Sequence, residues 1–234
     1  MRHITVLALM FLISGPASAE KVETLQGTAF KGSDIVYTED HTARFSDQGR
    51  VLEASTVYKD PSGKVIAEIR SDFSKSLSAP AHDFKDLRFK QRYGIRHEGE
   101  KVIMYVQEGE EPEQTKIITN DEKKALLVGC QGLAYYFKDN LEDLKKAKLV
   151  PILFLIPGRL ETYNFELVYK NTDANGLAVF EIHIKNWLLR LFAPKLTLHY
   201  DTIKGRLTKY EGLSNLYDDK KQMQNVKIDY IYPN

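Results

Sequence analysis

The chain has 234 residues, of which 28% are charged and 43% are hydrophobic, and its formal net charge is +1 at pH 7. Nucleic-acid binders normally carry a marked excess of lysine and arginine, so this balance argues against nucleic acid as a partner. The single cysteine, Cys130, excludes an intramolecular disulfide.

The N-terminus has the pattern of a secretory signal peptide. A basic start at Arg2 is followed by an apolar run over residues 4–13 and by small residues up to Ala19. The run is too short to cross a bilayer as a helix, which needs about 20 residues. We therefore expect export to the periplasm, cleavage that removes residues 1–19, and a single soluble domain over residues 20–234.

Turn signals at hairpin spacing, such as Asp60-Pro61-Ser62-Gly63 and Asn175-Gly176, divide the rest of the chain into strand-like runs. Apolar and polar residues alternate in these runs, which is typical of antiparallel strands with one buried face and one wet face. About ten or eleven strands are predicted. The runs lie near residues 34–46, 50–59, 64–73, 84–97, 101–107, 114–119, 161–171, 177–185, 195–203, 206–213 and 224–232.

One principal helix is predicted near residues 131–147. Leu133, Phe137, Leu141 and Leu144 recur at helical spacing, and charged residues fill the other positions. The fold class is therefore mainly β: a long, curved antiparallel sheet with one α-helix packed on its apolar face.

An apolar cluster lies between the runs 177–185 and 195–203, where a solvent-facing loop would be polar. A cluster of this kind is covered either by the protein's own core or by a ligand. Its members are Trp187, Leu188, Leu189, Leu191 and Phe192.

Six short segments carry a recognisable pattern, at residues 135–137, 154–159, 186–191, 198–201, 206–207 and 210–215. Together they resemble a group of uncharacterised bacterial periplasmic proteins. The resemblance implies a half-barrel like that of the outer-membrane lipoprotein carrier, in which a strongly bent sheet wraps around a helix. It also implies an apolar concavity that receives acyl chains, although function does not follow from fold alone.

The candidate lining of a ligand cavity consists of aromatic and aliphatic side chains near the helix and the two apolar segments. Arg159 and Arg190 are candidates for an anionic headgroup, with ion pairs to Glu161 or Glu211 as the alternative. The lining candidates are Tyr136, Phe137, Phe154, Ile156, Trp187, Leu188, Leu189, Leu191 and Phe192.

Catalysis finds little support in the sequence. There is no Gly-x-Ser-x-Gly elbow, and the histidines lack short metal-ligand spacing. His183 and His199 fall on the polar faces of two predicted strands, where a surface pair could bind a metal only if the strands are neighbours. Cys130 is interpreted as a small buried hydrophobe. We expect no enzyme activity, no cofactor and no metal.

The resulting hypothesis is a soluble periplasmic protein that binds an apolar ligand without chemistry. The ligand would be an acyl chain, a phospholipid or the lipid of a lipoprotein. We expect a monomer that makes peripheral contact with a membrane and binds a lipid or a lipid-modified protein. The alternative is an envelope protein-interaction module whose concave face is filled by its own side chains.

Overall fold

The structure, a computed structural model, describes residues 20–119, 121–185 and 195–233. It contains fifteen strands and one α-helix, together with two short 3-10 turns at Glu122–Lys124 and Pro157–Arg159. The strands of the N-terminal part are β1 (Lys21–Lys31), β2 (Asp34–Phe45), β3 (Val51–Lys59), β4 (Val65–Asp72), β5 (Ala81–Asp86), β6 (Gln91–Glu98), β7 (Lys101–Glu108), β8 (Gln114–Ile117) and β9 (Leu126–Gly129). After helix α1 (Gly132–Lys146) come β10 (Val150–Ile156), β11 (Glu161–Thr172), β12 (Leu177–Ile184), β13 (Leu196–Asp201), β14 (Arg206–Tyr217) and β15 (Met223–Ile231).

All fifteen strands form one sheet, in which β1 pairs with β15 and joins the two parts of the chain. The order runs from β8 back to β1, then from β15 back to β9. Every pair is antiparallel except β9 with β10, which are parallel because α1 connects them. The mainly β class with one bent sheet is thereby confirmed.

The strand number differs from the predicted ten or eleven. The run 84–97 is two strands, β5 and β6, separated by a turn in which Lys90 has a positive φ of 51°. β1, β9 and β10 were not counted among the predicted runs. Both faces of β10 carry apolar residues, so it lacks the alternation that identified the other strands.

The sheet curls until its two ends meet. Leu155 on β10 packs in one cluster with Ile95 on β6 and Met104 on β7, although these strands are far apart in the sheet order. Gly158, just after β10, lies on the Tyr93 ring, and a Cβ atom at this glycine would be 3.3 Å from it. The sheet nonetheless remains open between its edge strands β8 and β9, and its curl produces the concave face of a half-barrel. No helix in the described part of the chain is long and apolar enough to cross a membrane.

Helix α1 packs on the concave face, and its predicted range of 131–147 agrees with the observed Gly132–Lys146. The first helical residue is Gly132, and only glycine fits there, because a Cβ atom would be 2.1 Å from the carbonyl oxygen of Ser78. Its inward stripe contains Phe137, whose ring stacks on Tyr200 at 5.1 Å and meets the edge of Phe180 at 5.0 Å. This half of the concave face is filled.

Candidate functional site

A cavity of about 690 Å³ lies between the N-terminal turns of α1 and the concave face of the sheet. Strands β1, β2, β13, β14 and β15 supply most of its wall. Much of the wall is aromatic or aliphatic, since the inward positions of alternating strands are apolar. Among the apolar lining residues are Leu25, Phe45, Leu198, Tyr200, Leu207 and Ile228.

The mouth of the cavity is cationic. Lys21, Lys138, Lys204 and Arg206 line it together with the Glu23 carboxylate. Asp201, which does not line the cavity, accepts a hydrogen bond from the backbone N–H of Lys204. The Lys21 Nζ atom is 2.7 Å from Glu23 Oε1. Partial burial opposes ionisation of Glu23, but Lys21, Lys138 and Arg206 outweigh it and lower the pKa of this carboxyl group. The mouth therefore keeps an excess of positive charge.

Two packing contacts hold these cations in place. Lys138 extends from α1 over the Phe45 ring, with its Nζ atom 4.1 Å from the ring centroid. Its stem also contacts the β13–β14 turn, where a Cβ atom on Gly205 would be 3.6 Å from Lys138 Cγ. Arg206 lies over the Tyr232 ring at 4.6 Å. Cation–π contacts of this kind orient charged groups while leaving donors available.

The inner end of the cavity is polar. Glu39 and His41 line it from β2, where they continue the inward row that begins at Tyr37. His41 Nε2 lies 2.7 Å from Glu39 Oε2, and His41 Nδ1 lies 2.7 Å from Thr56 Oγ1. Gln131, at the start of α1, donates from Nε2 to Thr56 Oγ1 at 2.7 Å.

The order Thr56–His41–Glu39 matches that of a nucleophile, a base and an orienting acid. Thr56 is 0% exposed and is not part of the cavity wall, so no ligand atom in the cavity can reach its hydroxyl oxygen. Cys130 is half-buried and lines the cavity, but burial of its thiol raises the pKa to about 12. A protonated thiol is a poor nucleophile. The site therefore offers recognition groups and no activated nucleophile among the described residues.

Metal binding also lacks a suitable cluster. His183 Nε2 is 3.8 Å from Glu166, and His199 Nδ1 is 3.4 Å from Asp173, so each histidine faces a carboxylate. Within residues 20–119, 121–185 and 195–233, no three histidine, cysteine or acidic side chains come together in metal-binding geometry.

The predicted lining residues separate into three groups. Phe154 lines the cavity. Tyr136 and Phe137 belong instead to the core under α1, where Phe137 is 0% exposed, and Ile156 is half-buried outside the cavity wall. Helical spacing identified the buried face of α1 correctly, but only the first residue of that face, Leu133, also lines the cavity. Trp187, Leu188, Leu189, Leu191 and Phe192 lie outside the described residues.

The two headgroup candidates are not brought to the mouth by the described structure. Arg159 lies away from the cavity, where its Nη2 atom is 3.1 Å from Met223 Sδ. Hydrogen bonding to Tyr217 raises the pKa of this guanidinium. Arg190 is outside the described residues. Lys138 and Arg206 occupy the position that we expected for Arg159.

Sequence reasoning missed the polar inner end. The signal was present in β2, where Glu39 and His41 interrupt an inward row that otherwise reads Tyr37, Ala43 and Phe45. A charged residue at an inward strand position is rare unless it is paired or functional.

No protein-family model matches this chain, and neither does any curated protein. Among solved structures, the chain is similar to a β-barrel-like protein of the domain of unknown function DUF1849 from Brucella abortus. The TM-score is 0.42 and the sequence identity is 8%, over 93% of this chain and 96% of that chain. Similarity at this level assigns no function, and the relation to lipoprotein carriers stays a prediction.

Proposed function

We propose that this protein is an exported binding protein for an amphiphile that has an acyl chain and an anionic group. The observation that carries the proposal is the cavity, which joins an apolar middle to a cationic mouth. Its volume of about 690 Å³ lies within the range of roughly 300–1,000 Å³ that is usual for small-molecule sites.

Burial of the chain would supply most of the affinity. Each buried methylene contributes about 0.8 kcal/mol, so a twelve-carbon chain supplies on the order of 10 kcal/mol before ordering losses. Leu25, Leu198 and Ile228 offer an aliphatic wall, and Phe45 and Tyr200 offer flat rings. No covalent step is needed.

The mouth would select the anionic group. Four cationic side chains and the Glu23 carboxylate line it, and Lys138 and Arg206 are oriented by aromatic rings. A carboxylate or phosphate there would share these donors with Glu23. Because these groups are partly exposed to solvent, salt should weaken the contribution.

The proposal retains the periplasmic location that residues 1–19 predict. It is favoured over the protein-interaction module because that alternative requires a filled concave face, whereas the described part of this face encloses a cavity. If the purified protein carried no lipid and bound none, the protein-interaction module would be the favoured function.

The test begins with native mass spectrometry and lipid extraction of protein purified without detergent. A stoichiometric acyl species is expected. Dodecanoate titration then compares the wild type with Lys138→Gln and with the control Lys146→Gln, which alters the exposed last turn of the same helix. We expect a two- to fivefold loss of affinity for Lys138→Gln only, a typical magnitude for one partly exposed charge.

A protein that is free of lipid and fails to bind both dodecanoate and phospholipid would overturn the proposal. Equal losses in the two lysine variants would instead show that general surface charge, not the mouth, attracts the ligand.

A further inference from the structure

The carboxylate of Glu39 is an unusual group to find at the inner end of this cavity. Glu39 is 5% exposed, and the nearest large side chains beside it on the neighbouring strands are aromatic. It lies directly opposite Tyr58 on β3, and on its other side it pairs with Gly27, which in turn pairs with Tyr230 on β15.

Gly27 allows the carboxylate and the Tyr230 ring to lie side by side. A Cβ atom on Gly27 would be 2.9 Å from the Tyr230 ring and 3.1 Å from Glu39 Oε2. Tyr37, two residues before Glu39 on β2, meets Tyr58 edge-on at 6.0 Å. Burial and the nearby Glu39 carboxylate raise the pKa of Tyr37, Tyr58 and Tyr230. Three tyrosines therefore surround one carboxylate.

The tyrosine hydroxyls that have identified partners bond elsewhere. The Tyr37 hydroxyl is 2.8 Å from Ser214 Oγ, and Tyr58 hydrogen-bonds to the side chain of Asn215. In the described residues, the hydrogen bond from His41 to Oε2 is the one that Glu39 accepts. Its Oε1 atom is left for the cavity, which Glu39 lines.

Hydrogen bonds occupy both ring nitrogens of His41. Its Nε2 atom is 2.7 Å from Glu39 Oε2, and its Nδ1 atom is 2.7 Å from Thr56 Oγ1. Thr56 Oγ1 also accepts from Gln131 Nε2, whose amide oxygen accepts from Ser71 Oγ at 2.6 Å. The network therefore fixes the imidazole beside Glu39 and leaves neither ring nitrogen for a ligand.

Among the described residues, no lysine or arginine pairs with Glu39, and the imidazole of His41 is its one side-chain partner. Glu23, at the mouth, pairs with Ala43, which is four residues along β2 from Glu39. Four residues of strand span about 13 Å. A buried carboxylate is unfavourable unless its charge is balanced, and aromatic rings are a common environment for a bound ammonium group.

We propose that the inner end of the cavity binds an ammonium group of the ligand, with Glu39 as counter-ion and the Tyr58 and Tyr230 rings as its walls. This inference rests on the proposed function and narrows the ligand to a chain with a cationic nitrogen. A ligand that reaches both ends of the cavity would carry its anionic and cationic groups at opposite ends of the chain.

The test uses four probes of equal chain length: dodecanoate, its ω-amino derivative, dodecylamine and dodecanol. In the wild type, the ω-amino derivative is expected to bind at least about tenfold more tightly than dodecanoate, and dodecylamine more tightly than dodecanol; tenfold corresponds to about 1.4 kcal/mol. In Glu39→Gln, both preferences should disappear while dodecanoate binding remains. Glu23→Gln is the matched control, because it removes the other cavity carboxylate and should leave both preferences intact.

Circular dichroism shows whether Glu39→Gln folds. If it does not, the comparison of the four probes in the wild type still tests the inference. Dodecanoate binding without any preference for amines would overturn this inference and leave the proposed function standing. A preference that persists in a folded Glu39→Gln protein would also overturn it. Failure of all four probes would overturn both proposals.

Discussion

The two halves of the concave face carry the same alternation of apolar and polar residues, yet one half is filled and the other encloses a cavity. Under the middle of α1, Phe137 occupies the space between Phe180 and Tyr200. At the N-terminal end of the same helix, Gln131 and Ala134 face the cavity with shorter side chains. Strand alternation decides which residues face inward, whereas the covering element decides whether the space is filled.

The most disruptive way to test this difference is to remove the filling side chain. Phe137→Ala should lower the free energy of unfolding by about 3–5 kcal/mol, because it deletes a fully buried ring from a packed core. Leu25→Ala, on the cavity wall, should lower it by less than half as much because Leu25 is only half-buried. Urea denaturation of both variants measures the two values. Equal losses would mean that the halves are equally packed.

The sequence predicted the filled half better than the cavity. The spacing of Phe137, Leu141 and Leu144 located α1 and its buried face because helical periodicity is a local signal. The cavity depends on how far the sheet curls and on which strand pairs bring Glu39 close to Tyr230, and these contacts are far apart in the chain. No local sequence pattern predicts how far the sheet curls or which distant strands pair.

The candidate site was also predicted only in part, because local sequence shows apolar segments but not which distant residues meet. Phe154 was identified from its apolar surroundings and does line the cavity. Lys138 and Arg206 were missed because a lysine on the polar side of a helix and an arginine after a turn are ordinary surface residues in sequence. They become a shared mouth only after α1 meets the β13–β14 turn.

One buried imidazole, His82, and one half-buried imidazole, His41, differ in how their ring nitrogens are satisfied. His82 is 4% exposed; its Nδ1 atom is 3.3 Å from the Pro80 carbonyl oxygen, and its Nε2 atom has no hydrogen-bond partner. Burial lowers the pKa of His82 to about 4 from an ordinary value of 6.5. His41, at the cavity, has partners on both ring nitrogens.

The buried environment of His82 predicts that the folded protein loses stability in acid. Between pH 6.5 and about 4, the unfolded chain binds a proton at His82 that the folded chain does not. Stability contributed by the neutral ring is therefore complete above pH 6.5 and falls by about 3 kcal/mol as the pH approaches 4. Denaturation midpoints across this range should fall less steeply in His82→Leu than in the wild type. Parallel slopes would show that carboxylates alone cause the acid loss.

The smallest predicted change in stability comes from replacing an alanine by leucine in the packed core and, separately, at the cavity. Ala178 is 0% exposed in the core under α1, whereas Ala134 lines the cavity. Ala178→Leu should lower the free energy of unfolding by about 1–3 kcal/mol, because a packed core has no room for the added atoms. Ala134→Leu should change it by less than about 1 kcal/mol, since the added atoms enter open space and both residues are good helix formers.

Ligand binding should respond in the opposite order. Ala134→Leu reduces the volume available to an acyl chain, so its affinity for dodecanoate should fall by roughly tenfold, or about 1.4 kcal/mol. Ala178→Leu should change the affinity of the folded protein less, because Ala178 does not itself line the cavity, although its cross-strand partner Tyr200 does. Calorimetric titration and urea denaturation of the same two samples measure both quantities. If Ala134→Leu were instead destabilising and neutral for binding, the space beside α1 would be core in solution, and the cavity would lose its role as a ligand site.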